Sequence, residues 1–496
     1  MQPITSKQST TEEMPNGREL PPRLNLSIQW HITTNCGHHC DHCYMYDPLT
    51  WPAEQQETLP LSGLIAILDS FCEFEQKWDT HIEHFAITGG DPLLRKDWKE
   101  FVSELRRRGK HVSMMGNPET LTTDNIAALV ELGVEHFQLS LDGLEEQHDR
   151  FRNDSGTFQR TLEKLTLLKQ AKIRSNIMFT LFPTNLDELI PLLRFVAEHS
   201  DANSFSFDLG VFVGSAAELN RNLTPQRLKS IFSDYIAEKK RLAEAGFSLH
   251  VHEKNAFHQL NRFEAGEFYP YCSPELGASG GCLIGWSGVS VLSNGVVLGC
   301  RRLPALQVGK MPEQSFEDIF LGSPALRQFR RREYFQGCGD CDFYNTCRGC
   351  PANVYSLTGD PLAANPLCYR DLIERTTQQA QRIPQGAPID QSYSAEFEWI
   401  TRNLITTLGH RFTTYLEDET LRTLFVDLAY DLEQRRRFLA DPETFLERAG
   451  LPLADEQRAF LMLHFTEQAD ELEIAEVSKD DMAEAMFSRM LQDLID

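Results

Sequence analysis

Short apolar runs rich in β-branched and aromatic residues recur along the first half of the chain: LNLSIQWHITT, HFAIT, HVSMM, HFQLSL, SNIMFTLF and FSFDLGVFV. Segments of helical period separate them. In SGLIAILDSFCEFEQKW, for example, Leu64, Ile67, Leu68, Phe71 and Phe74 share one helical face, and Cys72 is expected to be a buried thiol of that apolar face. Strands alternating with helices predict an α/β fold with a parallel sheet and right-handed crossovers. Each strand is followed at once by polar or glycine-rich sequence: NCGHHCDHC, TGGDP, GNPETL, LDG and PTN. In a (β/α) barrel chemistry collects at the C-terminal strand ends, so these loops are expected to share one face.

From about residue 265 the pattern breaks into Gly, Pro and Cys, with a hairpin signal in GVSVLSNGVVLGC, where SNG marks the turn. This predicts a second module over 265–380, after a flexible arm (1–23) and an α/β core (24–264). A linker over 381–394 leads to a helical, acidic unit over 395–496 that holds roughly half of the net negative charge.

The formal charge of −24 over 496 residues argues against a nucleic-acid partner, because phosphate binding needs clustered Lys and Arg. The polar start lacks a secretory pattern and no apolar run reaches membrane-spanning length, so a cytoplasmic protein without a membrane partner is expected. In a reducing compartment the 12 cysteines favour metal ligation over disulfides.

Cys36-x3-Cys40-x2-Cys43 supplies three thiols from one loop. That is too few for a closed tetrahedral zinc site but suits a four-iron cluster with one iron left open. On spacing alone, a structural zinc site completed by His38, His39 or His42 is the alternative. The same histidines otherwise support the ligands or lie at the surface. Eight further cysteines, Cys272, Cys282, Cys300, Cys338, Cys341, Cys347, Cys350 and Cys368, suffice for two closed four-thiol sites, and composition leaves zinc and iron–sulfur both open.

The first loop, continued by Tyr44, resembles the cluster signature of the radical S-adenosylmethionine (SAM) enzymes. TGGDP, with Gly89, Gly90 and Asp91, resembles the family's GGEP segment, which meets the methionine amino group of SAM; Asp91 stands where Glu is usual. QLSLDGLEEQHDRFR resembles the stretch in which a serine and an arginine hold the methionine carboxylate, which places those roles on Ser140 and Arg152, and Asn117 matches the asparagine of a TNG segment. His42 holds a position where the family's backbone lies close to the adenine. The resemblance implies a partial (β/α)6 TIM-type barrel.

Cys282-x12-Gly295-x4-Cys300, the run from Cys338 to Cys350, and Cys368 resemble the SPASM extension of peptide-modifying members, which carries two auxiliary four-iron clusters. The family's interleaved order implies one cluster on Cys272, Cys282, Cys300 and Cys350 and another on Cys338, Cys341, Cys347 and Cys368, so that three 4Fe–4S clusters and SAM are the expected cofactors. Sulfatase-maturing members carry an Asp after the cysteine corresponding to Cys300; GCRRLP has Arg301 and Arg302 instead and looks like peptide maturases. Arg301 is expected to meet a substrate carboxylate or to pair with a nearby acid. The tail segment RRRFLADPETFLERAGLPLADEQRAFL is distantly similar to leader regions of modified peptides, although a packed helical bundle accounts for it equally simply.

Together these readings predict an oxidoreductase that cleaves SAM to a 5′-deoxyadenosyl radical and installs a thioether or other crosslink in a ribosomally made precursor peptide. A flavodoxin- or ferredoxin-type donor would supply electrons. The alternatives are radical modification of a protein side chain, a cofactor precursor or a small molecule and, from another class, a non-catalytic Fe–S electron carrier or a zinc-stabilised binding module.

Overall fold

The computed structural model describes residues 25–77, 80–265 and 281–373, except 283, 331, 342, 345 and 346, together with residue 445. The arm, Cys272, the linker and, but for residue 445, the acidic tail lie outside the described residues. What is described falls almost wholly in one compact unit, Asn25–Glu75 with His81–Gly386.

Each apolar run forms a strand: β1 (Asn25–His31), β2 (His81–Thr88), β3 (His111–Met115), β4 (His136–Ser140), β5 (Arg174–Leu181) and β6 (Ser204–Leu209). Sequence neighbours pair in parallel. The crossovers are α1 (Trp51–Gln56) with α2 (Leu61–Lys77), α3 (Trp98–Arg107), α4 (Thr123–Glu131), α5 (Glu145–Arg152) with α6 (Thr157–Gln170), and α7 (Leu189–His199). Then α8 (Pro225–Glu244) leads to a further strand, β7 (His250–Glu253), which pairs with β6. Caps fix several of the helix starts: the Thr122 hydroxyl accepts from Asn125 N at 3.2 Å and Thr224 accepts from Arg227 N at 3.2 Å, ahead of Pro225.

Beyond α9 (His258–Glu264) the expected hairpin forms from β8 (Gly288–Val291) and β9 (Val296–Leu298), followed by β10 (Gln307–Lys310). It does not stand as a separate sheet. β8 pairs in parallel with β1, so one ten-stranded sheet runs β10-β9-β8-β1-β2-β3-β4-β5-β6-β7. Helices α10 (Phe316–Phe320), α11 (Pro324–Arg330) and α12 (Pro351–Thr358) complete the cysteine-rich segment.

Strand alternation sorts the two faces. Ile28 and Trp30 of β1 are fully buried on the helix side, where the Trp30 ring meets Phe71 of α2 and Phe101 of α3 at 5.7 and 5.0 Å. Ser27 and Gln29 face the concave side, as do Ala86 and Thr88, Gln138 and Ser140, Met178 and Thr180. Helix α2 buries the five residues expected of it, but Cys72, one position past Phe71, turns off that face. It is only half-buried, with its sulfur 3.7 Å from Arg108 Nη1, which corrects the expectation of a core thiol.

Side chains join the two ends of the sheet. Arg302, from the turn after β9, donates to the Leu209 carbonyl at the end of β6 at 3.0 Å, and Asn353 of α12 donates to the Gly210 carbonyl at 3.0 Å. No helix among the described residues is long and apolar enough to cross a membrane.

Candidate functional site

The cysteine loop leaves β1 and is gripped through its backbone. Gly90 N donates to Thr33 O at 2.9 Å and Asp91 N to Asn35 O at 2.6 Å. A Cβ on Gly90 would lie 2.1 Å from Asn35 O, and Gly89 adopts φ +145° with its own Cβ position 2.3 Å from Thr33 O, so the double glycine is what lets the β2 exit lie on this loop. On the far side Ser215 N donates to Cys43 O at 2.9 Å. The Asn117 side chain, from the β3 exit, donates to Cys36 Sγ at 3.3 Å.

The strand exits converge on one cavity of about 660 Å³, lined among others by Cys36, Cys40, Cys43, Tyr44, Gly89, Gly90, Asn117, Ser140 and Arg152. Asp91 is not in its wall. Fully buried, its carboxylate accepts from Leu93 N at 3.0 Å, Asn117 N at 3.0 Å and the Thr120 hydroxyl at 2.7 Å. The shorter side chain therefore fastens the β2 exit to the β3 exit, with both carboxylate oxygens already accepting hydrogen bonds.

Arg152 is held in place by Asp142, whose Oδ2 accepts from Nε at 2.9 Å and Nη2 at 2.5 Å, and its Nη1 lies 3.7 Å from Cys40 Sγ. His42 stacks on Phe151 at 4.4 Å, and burial pushes it down to about 4 despite Asp142. His38 bonds Glu119 at 2.6 Å, while exposed His39 meets the Tyr46 hydroxyl at 3.2 Å.

Cys282, Cys300 and Cys350 border the same cavity, and burial, ahead of repulsion from Cys350 and Cys300, pushes Cys282 up to about 12. A second group lies apart from these: Cys347 is raised by burial and by Cys338, Cys341 and Cys368. Cys350 thus keeps company with Cys282 and Cys300 rather than with its sequence neighbours. Arg301 is not among the residues that line this cavity; it is fully buried against Glu54 of α1 at 3.0 Å and the Thr50 hydroxyl at 3.2 Å, the acid-paired outcome.

The donor sets fit iron–sulfur ligation better than single zinc ions. Zinc with bonds of about 2.3 Å draws its thiolates to about 3.8 Å of one another. Among the described residues only His38, Glu119 and Asp154 gather three ligand atoms within 4.8 Å, and Arg160 already pairs with both carboxylates. The thiols are spread more widely, as a cube with an iron at each ligated corner requires. Burial raises Cys36 and pushes Cys43 up to about 12, so these groups stay neutral until a cation draws off their protons.

Among the cavity residues that escaped the sequence reading are Asp208 in β6, and Lys254 and Asn255 just past β7. The signal was available for Asp208, an acid interrupting the apolar run FSFDLGVFV.

Residues 30–196 match the Radical SAM superfamily, and residues 282–351 match the SPASM iron-sulfur cluster-binding domain. The chain is 28% identical over 356 residues to an AdoMet-dependent heme synthase of Oleidesulfovibrio alaskensis, covering 69% of this chain and 86% of that one. It is 24% identical over 399 residues to a PqqA peptide cyclase of Rhizobium meliloti, covering 79% and 98%. Its fold is similar to that of Streptococcus suis SuiB bound to S-adenosylmethionine, with TM-score 0.54 and 16% identity over 68% of this chain and 76% of that one. With a parallel sheet, a thiol-bearing first loop and a cysteine-rich extension on one cavity, the chain belongs to the radical SAM enzymes that carry a SPASM domain.

Proposed function

We propose that this chain is a peptide maturase: it binds SAM beside Cys36, Cys40 and Cys43 and oxidatively crosslinks a side chain of a ribosomally synthesised peptide. The observation that carries this reading is the single cavity bordered at one end by the first-loop thiols and at the other by Cys282, Cys300 and Cys350. A cluster and SAM at the first loop, when bound, supply a 5′-deoxyadenosyl radical that removes hydrogen from carbon. The chain's own residues position and enclose. Gly89 and Gly90 bring backbone against the loop, Ser140 and Arg152 offer a hydroxyl and a guanidinium to a carboxylate, and Phe151, Phe182 and Phe212 pack beside His42 to keep water out. An electron leaving an oxidised substrate has acceptor sites close at hand if the second thiol set holds iron–sulfur.

The longer alignment to the PqqA peptide cyclase, 79% of this chain, supports a peptide substrate. The 28% identity to AdoMet-dependent heme synthase favours a second reading, radical oxidation of a tetrapyrrole side chain. Anaerobic reconstitution with iron and sulfide, then SAM and dithionite, is expected to release 5′-deoxyadenosine. With a peptide encoded next to this gene, the product should lose two hydrogens per crosslink by mass spectrometry. Nucleoside release with tetrapyrrole oxidation and an unchanged peptide would support the second reading, and absence of 5′-deoxyadenosine from iron-replete protein would end both.

A further inference from the structure

Two cationic side chains reach the cavity from opposite ends of the sheet. Arg302, after β9, places Nη2 2.8 Å from Asp208 Oδ2 and donates Nη1 to Leu209 O at 3.0 Å. Lys254 directly follows β7 and opens onto the same space. The other oxygen of Asp208 accepts from Asn255 Nδ2 and from Leu209 N, each at 2.8 Å. Both oxygens of Asp208 are thereby engaged by other donors than Lys254. Among the described residues the polar contact of Lys254 Nζ is the Met178 sulfur at 3.9 Å, a weak acceptor for a group with three donors. Lys254 is exposed, and part of it lines this hollow; the protein mass around it, outweighing the pull of Asp208, lowers its pKa.

An ammonium on a cavity wall without a hydrogen-bonded counter-ion offers its donors to a ligand that enters the cavity. Arg302 has Asp208, and the thiols of Cys300 and Cys350 lie near enough to act on it as well. Lys254 has neither. One spare positive charge suits one negative charge, and a phosphate dianion would leave surplus charge facing Asp208.

We propose that Lys254 is the specificity-determining cation of this cavity, receiving a carboxylate borne by the substrate side chain, with the Asp208–Arg302 pair fixing the wall beside it. This rests on the reading that the cavity is where substrate is oxidised. A neutral amide in the same place would leave the ammonium unpaired, so acidic side chains are selected over their amides. The carboxylate of SAM is the other source of the same chemistry, and the test separates the two.

Iron-reconstituted protein is treated briefly, under anaerobic conditions, with N-hydroxysuccinimidyl acetate, and acetylation of Lys254 and of exposed Lys99 is read by peptide mass spectrometry. N-acetylglutamate α-amide and N-acetylglutamine α-amide serve as probes at about 10 mM; a millimolar dissociation constant then gives about tenfold protection. The acid is expected to protect Lys254 about tenfold, with or without SAM, while the amide leaves it labelled and Lys99 is indifferent to both. Equal protection by both probes, or by neither, overturns the proposal. So does protection by SAM alone to which the acid adds nothing, which assigns the carboxylate to SAM, and so does a Lys254 that resists acetylation with no probe present. Release of 5′-deoxyadenosine by the same preparation reports separately on the radical reading.

Discussion

The two thiol sets that border the cavity are held by different means. The first loop is gripped by main chain: the exits of β2 and β6 lie on it through Gly89, Gly90 and Gly214, and a Cβ on Gly214 would come within 2.5 Å of Cys43 O. The second set is held by arginines: Arg301 on Glu54, Arg302 on Asp208, and Arg348, which donates to the Cys282 carbonyl at 2.5 Å. A loop that must meet a nucleotide closely gains from contacts that leave no side chain in the way. A segment that closes a sheet from its far end needs long side chains to span the distance. The first arrangement should therefore be vulnerable to added volume and the second to removed charge.

Four single substitutions and one pair test that contrast, and the largest effect belongs to the second set. Arg301→Met leaves the Glu54 carboxylate buried without its partner and should cost about 4 kcal/mol in denaturant unfolding, with iron lost chiefly from the second set. Pairing it with Glu54→Met should restore most of the stability, since two apolar groups of similar length need no counter-charge. Next, Gly90→Ala forces the two exits apart and should cost about 3 kcal/mol and abolish 5′-deoxyadenosine release. If it strips iron from both sets equally, the contrast is wrong.

Asp91→Asn keeps the volume but turns a donor toward Asn117 N and the Thr120 hydroxyl, and should cost about 2 kcal/mol. It should weaken SAM affinity less than Gly90→Ala does, because the carboxylate lies outside the cavity wall; the reverse order, read by equilibrium binding, would return Asp91 to the nucleotide. The smallest effect is expected of Thr120→Val, which removes one hydrogen bond to Asp91, about 1 kcal/mol by thermal unfolding, with SAM cleavage preserved.

Much of the scaffold was legible in the sequence because apolar period and strand-end polarity are local signals. Ile28 and Trp30 mark β1, and SNG marks the hairpin turn. β7 was not, since HVHE buries one apolar side chain, Val251, and an edge strand needs no more. Nor was the pairing of β8 with β1, a contact between residues some 260 apart that no local pattern encodes. The alternation in NLSIQWH carried a further message: fully covered parallel strands read as continuous apolar runs, whereas Ser27 and Gln29 belong to a face that borders a hollow. At the site, residue types could be read but not directions. Asp91 had the chemistry for an amine, and only the fold shows three donors already upon it. Lys254 and Asp208 carry no motif, and they come together because β7 pairs with β6 in the register that sets Phe207 beside Glu253.

Among the described residues the outer strands β7 and β10 do not pair with each other, and the two ends of the sheet are joined instead by side chains, Arg302 on the Leu209 carbonyl and Asn353 on the Gly210 carbonyl. A clasp of this kind rests on the length of side chains instead of on strand register. Such a closure is altered by exchanging side chains, leaving the staves untouched.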